Sequence, residues 1–113
     1  MVVPAAGEVV LVRFPFSDLS QAKVRPALCL GGAGRGDWLL CQITSKGYGD
    51  PLAISLGPAD FISGGLKLAS YARPGKLFTA NGSLMTASVG QLGDVALRGV
   101  IDAVVALLNA NRP

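Results

Sequence analysis

Two apolar runs, 24–30 and 38–44, lie on either side of a glycine-rich connection, and the way they can pair constrains the chain more than any other feature. Gly31, Gly32, Gly34 and Gly36 lie between the runs with Arg35 and Asp37, the composition of a flexible hairpin loop. If the runs pair antiparallel so that Leu30 meets Leu39, then Leu28 meets Cys41, Pro26 meets Ile43, and these residues share one apolar face. The other face sets Ala27 opposite Gln42 and Arg25 opposite Thr44 at the open end of the hairpin. A slip of one residue brings Leu30 against Trp38 and mixes polar with apolar side chains, so the first register is the consistent one. It also sends Cys29 and Cys41 to opposite faces, which disfavours a disulfide and leaves each as a small buried thiol.

The run before this hairpin, 8–14, has strong β-propensity and imperfect alternation, and reads as a strand buried on much of both faces. Pro15 stops its hydrogen bonding, and a small polar loop, 17–22, leads to Lys23. Arg25 precedes Pro26, whose ring sets its own φ and pushes the preceding residue extended. The residues alone leave Arg25 open between an ordinary solvated arginine, the commoner case, and a deliberately placed charge.

Beyond Thr44, a turn-rich stretch to Pro51 precedes a short strand, 52–56. Residues 57–65 read as turn and loop, with 60–62 dropping one aromatic ring onto the core. Strand pieces at 70–72 and 76–79 flank Arg73-Pro74-Gly75, a turn or strand-bulge signal, and Asn81-Gly82 marks a tight turn before strand or irregular structure at 84–92. From residue 94 the period changes. Leu97, Val100, Ile101, Val104, Val105 and Leu108 follow helical spacing, and Asp94, Arg98 and Asp102 lie four apart on the other side. Gly93 serves as N-cap and Asp94 suits the positive end of the helix dipole, so a helix over 94–109 closes a β-rich domain. Its apolar face belongs to the core or, in part, to a partner. With half of its 113 residues hydrophobic, the chain is large enough for one domain, 1–113, that needs neither disulfide nor metal.

The chain has no histidine, which excludes imidazole acid–base catalysis and histidine-ligated zinc. Glu8, Asp18, Asp37, Asp50, Asp60, Asp94 and Asp102 show no close pairing in sequence, so a function without metal or cofactor is expected. Ser45 beside Lys46 is a weak nucleophile signature. The net charge of +3 is compatible with a polyanionic partner, but the basic residues form no run, so the fold must assemble any phosphate-binding surface. The N-terminus lacks the features of a signal peptide and Asp102 interrupts the longest late apolar run, so a soluble, cytoplasmic protein with no membrane partner is expected. What remains is arginine, lysine and hydroxyl groups around Arg25 and Thr44, a set suited to gripping a phosphate.

The blocks GEVVLVRFPFSDLSQAKVRPALCL, LLCQITSK and SYARPGKLFT, in that order and followed by the closing helix, resemble the MazF/PemK family of toxin ribonucleases from type II toxin–antitoxin modules. The resemblance covers nearly the whole chain. It implies a mainly β fold with a C-terminal α-helix, an SH3-like curved antiparallel β-barrel of the kind also seen in toxins that poison DNA gyrase, assembled as a homodimer. It implies metal-independent, sequence-specific cleavage of single-stranded mRNA, in which the ribose 2′-hydroxyl attacks the adjacent phosphate and leaves a 2′,3′-cyclic phosphate. Arg25 and Thr44 match the catalytic positions. Arginine is too weak an acid to serve as a base at neutral pH, so Arg25 is expected mainly to stabilise transition-state charge, with protonation of the leaving group as a second role, and Thr44 to position the phosphate through its hydroxyl. Lys23, Gln42, Ser45, Lys46 and Arg73 are the RNA-binding candidates. Arg73 stands where some relatives carry an acidic residue or glutamine, and the 17–23 loop takes the place of a mobile lid over the RNA. A cognate antitoxin is the implied partner, and operator DNA is met only indirectly through the antitoxin complex. The alternative is a binding protein on the same scaffold without nuclease activity, a gyrase-poison-like toxin or a component of the antitoxin–operator complex.

Overall fold

Burial on both faces of the central strands organises the sheet. In a computed structural model that describes residues 3–14, 23–47 and 49–113, the described residues form β1 (Glu8–Phe14), β2 (Lys23–Gly34), β3 (Asp37–Thr44), β4 (Ile54–Leu56), β5 (Phe61–Gly64), β6 (Ser70–Asn81), β7 (Met85–Leu92) and a C-terminal helix, α1 (Asp94–Ala110). All pairings are antiparallel, in the order β4-β6-β3-β2-β1-β7-β5. Successive side chains on a strand point to opposite faces, and here both sets are buried. Val9, Leu28, Cys41 and Ile43 enter one cluster with Val100 of the helix, and Val10, Val12, Ala27, Cys29 and Leu40 enter a second, closed by Ala80 and Met85. Burying Leu28 completely contributes about 1.5–3 kcal/mol. The expectation of a strand buried on both faces at 8–14 therefore holds, as does the placement of the two cysteines on opposite faces.

The hairpin register holds at its centre, where Ala27 pairs with Gln42 and Leu28 with Cys41. It differs at both ends. A register shift after Cys29 brings Gly31, not Leu30, opposite Leu39. At the other end the ladder to β3 stops at Ala27, beside Pro26, which has no N–H to donate. Pro26 and Arg25 pair with Leu11 and Val12 of β1, whereas Ile43 and Thr44 pair with Ala72 and Tyr71 of β6. The glycine-rich stretch is not a loop either. β2 runs through Gly34 and turns in two residues, Arg35 and Gly36, both with positive φ, as a tight antiparallel hairpin requires.

Later elements correct the reading in detail. Strand 52–56 shortens to Ile54–Leu56, and the supposed loop at 57–65 contains a 3₁₀ turn, Pro58–Asp60, followed by β5, with Phe61 packed on the first cluster as expected of one aromatic ring. The pieces at 70–72 and 76–79 are one strand with a bulge, and 84–92 is mostly strand β7. β4 and β5 are the two edges of the sheet and are consecutive in sequence. The turn between them, held by Gly57 N–H donating to Asp60 Oδ2 at 2.7 Å, brings the curved sheet round by chain connection, and its hydrogen-bonded ring stays open. Asn81 caps a second 3₁₀ turn, Gly82–Leu84, by accepting from Ser83 N–H at 3.0 Å.

The helix starts at its expected cap, Gly93. Val100 is fully buried, with Ala96 and Leu97 packed beside it, while Ile101, Val105 and Leu108 are 36%, 47% and 64% exposed. The apolar face thus divides between core and an uncovered stripe. No helix among the described residues is long and apolar enough to cross a membrane.

Gly64 has φ +63, and a Cβ there would overlap the carbonyl oxygen of Val89 on β7. Gly64→Ala is expected to lower stability by about 2 kcal/mol or more in chemical denaturation. Gly49→Ala, with open space around it, should change little.

Candidate nucleic-acid interface

A bulge in β6 builds the main cleft. Ile43 pairs with Ala72 and Cys41 with Leu77, so residues 73–76 stand against Gln42 alone. Pro74, fully buried and without an N–H, anchors the bulge, and the first and last bulge residues, Arg73 and Lys76, line a cleft of about 470 Å³. β2 contributes Lys23 and Arg25, and β3 contributes Gln42, Ile43 and Thr44. Phe14 and Phe78 form an apolar wall, their ring centroids 5.0 Å apart and tilted by 50°. Four cationic side chains therefore meet here, and no carboxylate lines the cleft among the described residues.

Arg25 and Thr44 also line a second pocket of about 350 Å³, whose further lining includes Ser45, Lys46 and Lys67. The pair thus stands on the ridge between two basic depressions, although the two residues are not partners in the β2–β3 ladder. Thr44 ends its strand with a local turn in which Lys46 N–H donates to its Oγ1 at 3.0 Å. That bond holds the hydroxyl in place and leaves its hydrogen available to a ligand.

Arg73 is held from two sides. Its Nε donates to Asp50 Oδ2 at 2.8 Å and its Nη1 donates to Gln42 Oε1 at 3.1 Å. Asp50 is itself fixed, since its Oδ1 accepts from Leu52 N–H at 2.9 Å and its own N–H donates to Gly47 O at 3.1 Å. The Arg73 hydrogen bond, followed by that of Leu52 N–H, holds the Asp50 carboxyl below the usual carboxylate range. Cys41, on the neighbouring β3 position, is buried, and desolvation pushes its thiol up to about 11.

Of the residues singled out from sequence, Lys23, Arg25, Gln42, Thr44 and Arg73 come together in the main cleft, while Ser45 and Lys46 fall in the adjoining pocket. Of the proposed lid at 17–23, residues 17–22 lie outside the described residues, and Lys23 is the first residue of β2. Sequence reasoning missed Phe14, Lys76 and Phe78, which read as ordinary strand residues, and Asp50, whose partner lies 23 positions away. The Arg73-Pro74-Gly75 bulge signal was the available hint that residues around it would leave the regular ladder.

No family model matches the chain, and no curated protein matches it. Solved structures do. It is similar to an endoribonuclease in complex with its cognate antitoxin from a mycobacterial species, with 16% identity and a TM-score of 0.73 over 98% of this chain and 100% of that one. It is similar to MazF from Deinococcus radiodurans, with 23% identity and a TM-score of 0.75 over 96% of this chain and 99% of that one. The MazE-MazF complex from the same organism gives 24% identity and a TM-score of 0.76 over 96% and 98%. At these identities the likeness establishes a shared fold, that of the MazF toxins.

The folded-state pKa of Asp50 lies below its unfolded value, so the ion pair's stabilisation is present above the unfolded pKa and is lost as pH falls through the folded one. Melting temperatures of the native chain and Asp50→Asn should differ at neutral pH and converge as the solution is acidified below about pH 4. Cys41 should resist alkylation at neutral pH until the chain is unfolded, as mass spectrometry of labelled protein can follow.

Proposed function

We propose that this chain is the toxin of a type II toxin–antitoxin module and cleaves single-stranded mRNA without a metal ion. The observation that carries the reading is the convergence of Arg25 and Thr44 on a ridge between two basic depressions with no carboxylate in the main cleft. A phosphodiester laid across the ridge meets a guanidinium and an oriented hydroxyl donor, with Lys23, Lys76 and Arg73 on one side and Lys46 and Lys67 on the other. The 2′-hydroxyl oxygen attacks the adjacent 3′-phosphate and gives its proton to solvent; the O2′–P bond forms, additional negative charge builds on the non-bridging oxygens, and the P–O5′ bond breaks, the departing 5′-oxygen taking a proton from water. Arg25 stabilises that charge and the Thr44 hydroxyl donates to one of the oxygens, contacts that strengthen towards the transition state. Gln42, Ser45 and the flanking cations hold the strand.

The partner is a cognate antitoxin, in keeping with the antitoxin complexes among the solved structures that share this fold. Operator DNA is reached through that antitoxin. The uncovered stripe Ile101, Val105 and Leu108 supports a homodimer, since helix faces of this kind are normally buried against a second surface. The setting is cytoplasmic.

Purified chain incubated with a long single-stranded RNA in EDTA should cut it and leave 2′,3′-cyclic phosphate ends, whereas DNA of the same sequence stays whole. Arg25→Ala and Thr44→Ala should each slow cutting by on the order of a hundredfold, and Thr44→Ser should retain much of the rate. Intact RNA with the native chain would sink the reading and leave a non-nuclease binding protein in its place, and cutting by both alanine variants at the native rate would sink the assignment of Arg25 and Thr44. In sedimentation, Val105→Glu should shift a dimer towards monomer.

A further inference from the structure

Asp50 does not line the main cleft, yet it decides how two residues of the cleft present themselves. A guanidinium carries five N–H donors and no acceptor. Arg73 commits Nε to Asp50 and one Nη1 hydrogen to Gln42, and its other N–H groups have no partner among the described residues. Because Arg73 can only donate, the amide oxygen of Gln42 must face it, which turns the Gln42 Nε2 away. That nitrogen has no hydrogen-bond partner among the described residues either. Gln42, which could otherwise offer a donor and an acceptor, is left presenting its donor. Lys23, Arg25 and Lys76 are donors by nature, and the Thr44 hydroxyl, one of whose two lone pairs accepts from Lys46 N–H, keeps its hydrogen to donate.

The side-chain wall of the cleft is therefore built to donate. A ligand edge with only acceptors satisfies it, whereas an exocyclic amino group brought against it is left unpaired, a penalty that discriminates more sharply than a missing favourable contact. We infer that Asp50 is a positioning residue which, acting through Arg73 and Gln42, makes the cleft select an acceptor-only edge of single-stranded RNA. The inference rests on the RNA-cleaving reading above. Two acceptor-only groups of RNA offer the paired acceptors that a fixed guanidinium fork matches: the non-bridging oxygens of a phosphodiester, and the O6/N7 edge of guanine.

The network is independently braced. Asp50 is tied into its own turn by Leu52 and Gly47, so the carboxylate is a fixed point and not a surface charge following a mobile arginine. The Arg73 side chain is 28% exposed and that of Asp50 12%, so the pair is only partly open to water and less screened than a surface ion pair.

The test compares the native chain with Asp50→Ala, Arg73→Ala, the double variant and Asp50→Asn. Each is first shown by thermal denaturation to be folded at the assay temperature. Cleaved ends of a long single-stranded RNA are sequenced, and binding of short RNAs is measured across a salt series, with guanosine and with 7-deazaguanosine. Asp50→Ala should weaken binding about tenfold, and the double variant should add little to Arg73→Ala, as expected of residues acting as one unit. Asp50→Asn, which keeps an acceptor for Arg73, should recover part of the loss. If the ligand edge is guanine, the variants relax sequence preference at one position and 7-deazaguanosine mimics them. If it is a phosphodiester, 7-deazaguanosine is neutral and the variants lower the salt dependence by about one charge. Native chain that cuts RNA while Asp50→Ala binds, cuts and selects as it does, or an Asp50→Ala effect that persists in full without Arg73, overturns the relay alone. Native chain that neither binds nor cuts RNA overturns the relay together with the nuclease reading.

Discussion

Almost everything in this molecule depends on the central strands being apolar on both faces. β1, β2 and β3 send alternate side chains into two separate clusters, so the sheet cannot lie flat against a single layer. One face takes the helix through Val100, and the other is covered by Ala80 and Met85, at the adjoining ends of β6 and β7. To serve both, the sheet curves until its edge strands β4 and β5 are neighbours in sequence, joined by the Pro58–Asp60 turn. With the middle of the sheet closed to polar groups, charged side chains are left to strand ends and irregular positions. That is where the cations gather.

The irregular position that matters is the β6 bulge. A regular ladder would have alternated residues 73–76 between the two faces, and the extra residues opposite Gln42 instead deliver Arg73 and Lys76 to one cleft. A buried Pro74 makes the bulge a fixed feature of the fold. The bulge lies beside the end of the β2–β3 ladder, so the cations it carries meet Arg25 and Thr44 from the other strands. The site is thus an outcome of two ladders ending or slipping near the same place, with a long-range ion pair to Asp50 setting its detail.

Much of this was legible from residues. Alternation gave β1 its limits, and matching apolar faces placed Ala27 opposite Gln42 and Leu28 opposite Cys41. The 3.6-residue period marked α1 to within a residue. Legibility failed where backbone geometry departed from the regular pattern. The glycines at 31, 32 and 34 looked like loop but extend β2, because glycine tolerates a strand as well as a turn and only Arg35 and Gly36 are needed to reverse the chain. β5 was hidden in a short stretch with two glycines and a 3₁₀ turn ahead of it. In the candidate site, Arg25 and Thr44 were placed near one another by a ladder that in fact stops two residues short. The two nevertheless line the same two depressions, Arg25 from a position paired to β1 and Thr44 from one paired to β6.

By itself the sequence determined the chemistry available: no imidazole, few and scattered carboxylates, a modest excess of cations, and hydroxyl and guanidinium groups near the ends of two strands. It also determined a β-rich domain closed by a helix, since short β-prone runs broken by glycine and proline are followed by one amphipathic helical period. Only the tertiary structure decided which cations share a cleft, that Asp50 pins Arg73, and which way the Gln42 amide points. The physical reason is that hydrogen bonds and charge pairs act over a few ångströms between residues tens of positions apart. Nothing local in the chain encodes those distances; they follow from how the two ladders twist, bulge and stop.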